Sequence, residues 1–376
     1  MSPPMQGDTF AFVTGGGTGG HVYPALAVAD ALVARGHPRP SIRFVGARRG
    51  IEATAVPAAG YIVELLPGRG LQRSIRPRAI VANVGAVVGL LLAFVGALRL
   101  IGRHRPGVVL GVGGYASFPC LVAARLRRVP AVVHEQNAAP GLANRWAVRL
   151  GARAAVSLPG TPLPGAEVTG NPVRSAVLAV RRAPESAPPL VALVGGSLGA
   201  GRLNDAALGL YDLWRGRGDV AIRHVAGPRG YDGCMERLRR QRLAADVLRY
   251  DLVRYEDDMP GLYARAAVLV GRAGAVTCAE VAVTGTPAVL VPLPNAPGDH
   301  QTRNAEALVD AGAAILVPDA ELDGARLAWE LDALLAPPTD GGPARLDEMS
   351  RAARTVGRPD AADRVADLVE EAAHGA

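Results

Sequence analysis

Four times the chain runs from a short apolar stretch straight into a cluster of glycines: AFVTGGGTGG at 11–20, VLGVGGYAS at 109–117, ALVGGSLGA at 192–200 and LVGRAGAVT at 269–277. An apolar run of this length bounded by glycine reads as a strand covered on both faces, and such strands belong to parallel sheets wrapped by helices. Glycine at the carboxyl end lets the backbone turn sharply and approach a ligand closely. Open α/β sheets bind ligands at that edge, and the amides of the helix that follows attract phosphate oxygens. Two such turns lie in each half of the chain. They predict phosphate groups bound from both sides of a cleft between two doubly wound, Rossmann-like halves.

The rest of the pattern fits that class. Further strands are predicted at 42–46, 61–66, 130–134 and 153–157, with a helix from about Tyr23 whose Pro24 suits a first turn. Residues 181–189, RRAPESAPP, form a proline-rich break, after which strands recur near 220–225, 247–252, 287–292 and 313–317. With 376 residues the chain is long enough for two cores. The expected division is 1–172, 173–350 and a helical tail, 351–376, that packs back on the N-terminal half.

Composition narrows the chemistry. The net charge is +7 and there is no lysine, so all 41 basic side chains are arginine. This excludes a Walker A lysine, a Schiff base and a pyridoxal phosphate anchor. Three scattered cysteines, Cys120, Cys234 and Cys278, form no CxxC and fit a reducing compartment without a zinc site. No D-x-D sequence occurs. No metal and no cofactor are therefore expected, and helix ends and arginine are left to stabilise a leaving diphosphate. Residues 79–98 are nearly all apolar, and arginines lie before and after them. The expectation is a peripheral patch on an anionic membrane surface rather than a span.

Gly15, Gly17 and Gly20 also fit G-x-G-x-x-G, the dinucleotide fingerprint. The acid that should follow the second strand is missing, because Phe44 to Arg49 contains none. That leaves an NADP-dependent oxidoreductase as the rival. His21 stands at the mouth of the turn, where a neutral imidazole can take a proton from a sugar hydroxyl. His134 to Asn137, HEQN, ends a buried strand with four polar residues. Arg174 offers a planar fork to a diphosphate or to a structural carboxylate. Ser197 either holds a phosphate or caps a helix. Glu280 lies in an apolar helix and needs a partner, with ribose hydroxyls as one choice. His300, Gln301 and Asn304 follow the loop PNAPGD and could read sugar hydroxyls.

Taken in order, GGGTGGHVYPALA, GGYASFP, HEQNAAPGLANR, TGNPVR, VGGSLGA, RAGAVTCAE and HQTRNAEAL resemble the signatures of the MurG family over about residues 10–315. The resemblance implies a GT-B architecture and an inverting transfer of N-acetylglucosamine from UDP-N-acetylglucosamine. The implied acceptor is a lipid-linked muramyl-pentapeptide, and a β-1,4 bond forms without metal at the cytoplasmic face of the membrane. No nucleic acid is implied as a partner. By matched position His21 faces the acceptor and the sugar and is the implied catalytic residue, as the base or as a substrate ligand. Thr18, Gly19, Asn137, Arg174, Ser197, Glu280, Gln301 and Asn304 fall to the donor. Gly16, Gly17, Gly20, Gly113, Gly114 and Tyr115 fall to the acceptor. Gly271 departs from the serine or cysteine common there, and His300 from the glutamine of some members. Related lipid glycosyltransferases share the architecture and are the alternative within the class.

Overall fold

A computed structural model describes residues 9–48, 50–67, 77–114, 116–183, 188–196, 199–337 and 344–375, with the side chains of 77–87 outside that description. Of the residues singled out above, Tyr115 and Ser197 lie outside it, as do Arg69, Arg73 and Arg76, three of the arginines that precede the apolar stretch 79–98. The chain divides into two compact units, Met1–Arg174 with Pro359–Ala376, and Ser175–Arg358.

In the first unit strands and helices alternate: β1 (Ala11–Thr14), α1 (Gly19–Ala34), β2 (Ile42–Ala47), α2 (Glu52–Ala58), β3 (Ile62–Leu66), α3 (Pro77–His104), β4 (Val108–Gly111), α4 (Ser117–Leu126), β5 (Ala131–Glu135), α5 (Leu142–Arg149), β6 (Arg153–Val156) and β7 (Glu167–Val168). The sheet order is β3-β2-β1-β4-β5-β6-β7 and every pairing is parallel. Side chains alternate across it. Ala11 and Val13 enter a core with α1, while Phe12 between them enters the core of α3 and α4 on the other face. Both faces are covered, so the two central strands β1 (AFVT) and β4 (VVLG) are almost wholly apolar, while Arg43, Glu64 and Arg153 stand on β2, β3 and β6 nearer the sheet's edges.

Helix α1 starts at Gly19, not near Tyr23, so Pro24 lies in its second turn instead of its first. Its missing N–H forgoes a bond to the carbonyl of Gly20, one turn earlier.

The second unit contains α6 (Ser175–Leu178), β8 (Leu190–Val194), α7 (Gly201–Trp214), β9 (Ala221–Val225), α8 (Tyr231–Gln241), β10 (Arg249–Val253), α9 (Met259–Arg265), β11 (Ala266–Gly271), α10 (Ala275–Thr284), β12 (Ala288–Leu290), α11 (His300–Asp310), β13 (Ala314–Leu316), α12 (Gly324–Leu335) and α13 (Arg345–Val356). Its parallel sheet runs β10-β9-β8-β11-β12-β13. A boundary at 350 falls inside α13, which packs on α10; the chain leaves this unit only after Arg358.

The last helix, α14 (Ala361–His374), belongs to the first unit and lies on α1. Val365, Leu368 and Val369 fill the same core as Leu26 and Ala29. Arg35, just past α1, reaches Asp367 at 2.5 Å and Glu370 at 2.9 Å, and His37 meets Glu370 at 2.8 Å.

Candidate functional site

Each sheet changes winding direction at one place, between β1 and β4 in the first and between β8 and β11 in the second. Crossovers leave such a point to opposite sides and open a crevice at the carboxyl edge. The four glycine turns stand at these two places.

In the first unit the turns after β1 and β4 touch through bare backbone. A Cβ on Gly114, which has φ +82°, would lie 2.5 Å from the carbonyl oxygen of Gly16, so only glycine fits. Beneath them is Glu52, the first residue of α2, 1% exposed. Its carboxylate accepts the N–H of Gly17 at 2.9 Å and of Ala47 at 2.8 Å. A Cβ on Gly16 would lie 2.2 Å from it. Glu52 thus fixes the turn, and the acidic residue of this region serves the protein's own backbone. The amide of Gly17 is thereby bound to a carboxylate and is not offered to a phosphate. The amides of Gly16, Gly19 and Gly20 remain on this turn.

His21 sits in the first turn of α1 with Nδ1 3.3 Å from the hydroxyl of Thr18. Its Nε2 faces the second turn, 3.2 Å from where a Cβ of Gly113 would stand. Burial lowers its pKa below 6.5, against the pull of Glu135 and Glu52, so the ring is neutral near pH 7. The structure therefore brings Gly16, Gly17, Thr18, Gly19, Gly20, His21, Gly113 and Gly114 together.

Three residues of HEQN turn inward, and their work is structural. His134 is fully buried, donates from Nε2 to the carbonyl of Gly170 at 2.9 Å, and is pushed by burial down to about 4. Gln136 donates to the carbonyl of Val112 at 2.9 Å, which ties the end of β5 to the second turn. Glu135 accepts from the N–H of Asn137 at 3.0 Å, the N–H of Gly141 at 2.9 Å and the amide of Asn144 at 2.8 Å. It shapes the loop that carries Asn137 to the edge of the sheet. The guanidinium of Arg174 lies over the ring of Tyr23 at 4.3 Å, and both residues belong to the first unit.

In the second unit the turn after β8 packs against the chain leaving β9. A Cβ on Gly199, at φ +82°, would stand 2.4 Å from the carbonyl oxygen of Ala226. Helix α7 follows with its free amides at that turn. Glu280 has the partner its burial requires: the hydroxyl of Tyr263 donates to it at 2.8 Å. Asn304 is buried and donates to the carbonyl of Ala273 at 3.3 Å, while Gln301 accepts the N–H of Leu293 at 2.9 Å. Both brace the loops after β11 and β12. His300 bonds its own loop at Pro297, 2.9 Å away.

The apolar segment becomes the long helix α3. Ala93, Ala97 and Ile101 face the core with α4, and Val88, Leu91, Leu92 and Val95 face outward, Leu91 at 61% exposure. Helix α5 adds a stripe that periodicity alone could have found. Leu142, Trp146 and Leu150 recur every fourth residue and are all exposed, Trp146 at 50%. Among the described residues no helix is long and apolar enough to cross a membrane.

Residues 11–156 match the glycosyltransferase family 28 N-terminal domain, and residues 190–365 match the glycosyltransferase family 28 C-terminal domain. The chain belongs to glycosyltransferase family 28. Within the family it is 44% identical over 371 residues to a protein of Alkalilimnicola ehrlichii, covering 96% of this chain and 98% of the relative. It is 41% identical to a protein of Salinibacter ruber, covering 94% of each. Both relatives are named UDP-N-acetylglucosamine–N-acetylmuramyl-(pentapeptide) pyrophosphoryl-undecaprenol N-acetylglucosamine transferase. The crystal structure of Acinetobacter baumannii MurG superposes with a TM-score of 0.75 at 28% identity, covering 96% of this chain and 99% of that one. This family 28 chain thus has the GT-B fold, two doubly wound units.

Proposed function

We infer that this chain transfers N-acetylglucosamine from UDP-N-acetylglucosamine to the 4-hydroxyl of a lipid-linked N-acetylmuramyl-pentapeptide, the reaction named for its relatives. The observation that carries the reading is the 44% identity over 96% of the chain, because it spans every glycine turn of both units. The first unit takes the acceptor at the turns of Gly16 and Gly114. The second takes the donor at Gly196, Gly199 and the start of α7.

The chemistry follows from the residues. The acceptor oxygen attacks the anomeric carbon from the face opposite UDP, and the bond to the diphosphate oxygen breaks as the new one forms. Nε2 of His21 takes the hydroxyl proton, which requires Nδ1–H to donate to Thr18; the neutral ring supplies that tautomer. Negative charge grows on the departing UDP. The backbone amides of the second unit's turn and of α7 stabilise it, worth about 3–4 kcal/mol for a well-placed donor. Glu280 takes the ribose hydroxyls. Asn137, Gln301 and Asn304 hold the loops around the donor sugar, and Arg174 neutralises diphosphate charge.

A polyisoprenyl acceptor stays in the bilayer, so the enzyme works at its surface. The outward faces of α3 and α5 supply the apolar contact, and the enzyme is peripheral on an anionic membrane. The test is a transfer assay with radiolabelled UDP-N-acetylglucosamine and lipid-linked muramyl acceptor, beside an NADPH-binding measurement. Label entering the lipid fraction without added nicotinamide is the expected result. NADPH binding without transfer would overturn the reading.

A further inference from the structure

Beneath the second unit's first glycine turn runs a chain of three buried side chains contributed by three elements. The hydroxyl of Tyr250 on β10 donates to Nδ1 of His224 on β9 at 2.8 Å. Nε2 of His224 donates to the amide oxygen of Asn204 at 3.1 Å. The amide nitrogen of Asn204, in the first turn of α7, donates to the carbonyl of Ala226 at 3.1 Å. That carbonyl is the atom against which Gly199 is packed.

We propose that Tyr250, His224 and Asn204 are positioning residues that set the donor's phosphate turn, and this rests on the reading of the second unit as the donor site. The directions of the bonds allow one arrangement. Nδ1 accepts, Nε2–H donates, and the amide is then oriented with nitrogen toward Ala226. A flipped amide would set oxygen against oxygen. Burial keeps His224 neutral, down at about 4, so the chain holds its polarity across the working pH range. Tyr211 closes it from the core side, ring edge to Tyr250 at 5.2 Å. The neighbouring backbone leaves no slack. A Cβ on Gly230 would stand 2.2 Å from the Asn204 nitrogen, so the amide is wedged between Gly230 and Ala226. The N–H of Gly195 at the start of the turn is bound to Val225 at 3.3 Å, and that of Ala226 to Val253 at 3.0 Å. The strand end, the turn and the first turn of α7 are therefore one hydrogen-bonded body. The side-chain relay is the only link in it, among the described residues, that joins α7 to the loop after β9 through a sequence-specific group.

A relay that merely filled the core would affect stability alone. One that sets the phosphate turn affects donor affinity. Wild type and Tyr250→Phe would be compared for KM of UDP-N-acetylglucosamine, KM of the acceptor, kcat, Tm, and Kd for UDP by calorimetry. Asn204→Ala would be measured alongside. Tyr250→Phe removes one hydroxyl and keeps the ring, so the fold should survive even if Asn204→Ala does not fold. Expected for Tyr250→Phe are a donor KM and UDP Kd raised roughly threefold to tenfold, with acceptor KM and kcat within twofold. Asn204→Ala should raise the donor constants further. A lower Tm with unchanged donor KM and Kd would overturn the proposal, and so would no change in any quantity. Failure of wild type to bind UDP would instead overturn the donor reading.

Discussion

At the scale of single residues, two expectations can be sharpened by their neighbours. His21 is neutral at pH 7 because burial outweighs Glu135 and Glu52. The active, unprotonated form therefore prevails from below pH 6.5 upward, and kcat should fall only on the acid side. A profile from pH 5 to 9 should show a plateau at neutral and alkaline pH with any fall confined to the acid side, and His21→Ala should lower the plateau roughly a hundredfold while UDP still binds. Near-wild-type turnover at every pH would remove His21 from the chemistry. For Glu280 the informative variant is glutamine. Alanine would also remove the acceptor of the Tyr263 hydroxyl and mix binding with stability. Glu280→Gln keeps an oxygen for Tyr263 and loses the charge, so donor KM should rise about tenfold with little change in Tm. An unchanged KM would end the ribose assignment. His21 was legible in the sequence because it abuts a glycine turn. Glu52 was not, because its partner Gly17 is 35 positions away and meets it only once β2 lies beside β1.

At the scale of elements, glycine turns and strands were legible to within a residue or two, since a parallel sheet buried on both faces writes itself as unbroken apolar runs. The direction in which a polar residue points at a strand end was not. HEQN looks like a site, yet His134, Gln136 and Glu135 spend their polar atoms on the backbone of Gly170 after β7, of the second turn and of the loop before α5. This has a consequence in acid. The folded state holds His134 neutral down to about 4, whereas the unfolded chain takes up a proton near 6.5. Between those values the unfolded state binds more protons, so stability falls as pH falls through that window, by up to about 3 kcal/mol from this group. Thermal scans at pH 7 and pH 4.5 should show His134→Gln losing less Tm than wild type. Equal losses would mean that His134 does not titrate as its burial requires. The seating of α14 on α1 also depends on partners more than 300 residues apart, Arg35 with Asp367 and Glu370, which local pattern leaves open.

At the scale of the whole molecule, charge is distributed unevenly along the chain. Between Glu64 and Glu167 there are thirteen arginines and one acid, Glu135, which is buried. This stretch contains α3, α4 and α5, whose packed sides share one face of the first sheet. Outward they show Val88, Leu91, Leu92 and Val95 on α3, Leu126 at the end of α4, Leu142 and Trp146 on α5, and Leu150 just past its end. Arg145 and Arg149 flank the α5 stripe, with Arg149 over Trp146 at 5.3 Å. Apolar side chains with a tryptophan and many arginines form the pattern of a surface that rests in lipid headgroups. Each arginine near anionic lipid contributes about 1 kcal/mol, and that part is screened by salt. Flotation with phosphatidylglycerol-containing vesicles at low salt should carry the protein upward. High salt should weaken the association, and a carbonate wash should release it. Leu91→Glu with Leu92→Glu places charge at two exposed positions, so folding and UDP binding should persist while flotation drops severalfold. Trp146→Glu should do the same from α5, which separates a two-helix face from a patch confined to α3. Retention after carbonate would point to a span, and no flotation at low salt would leave these helices without the membrane role their exposure and charge call for.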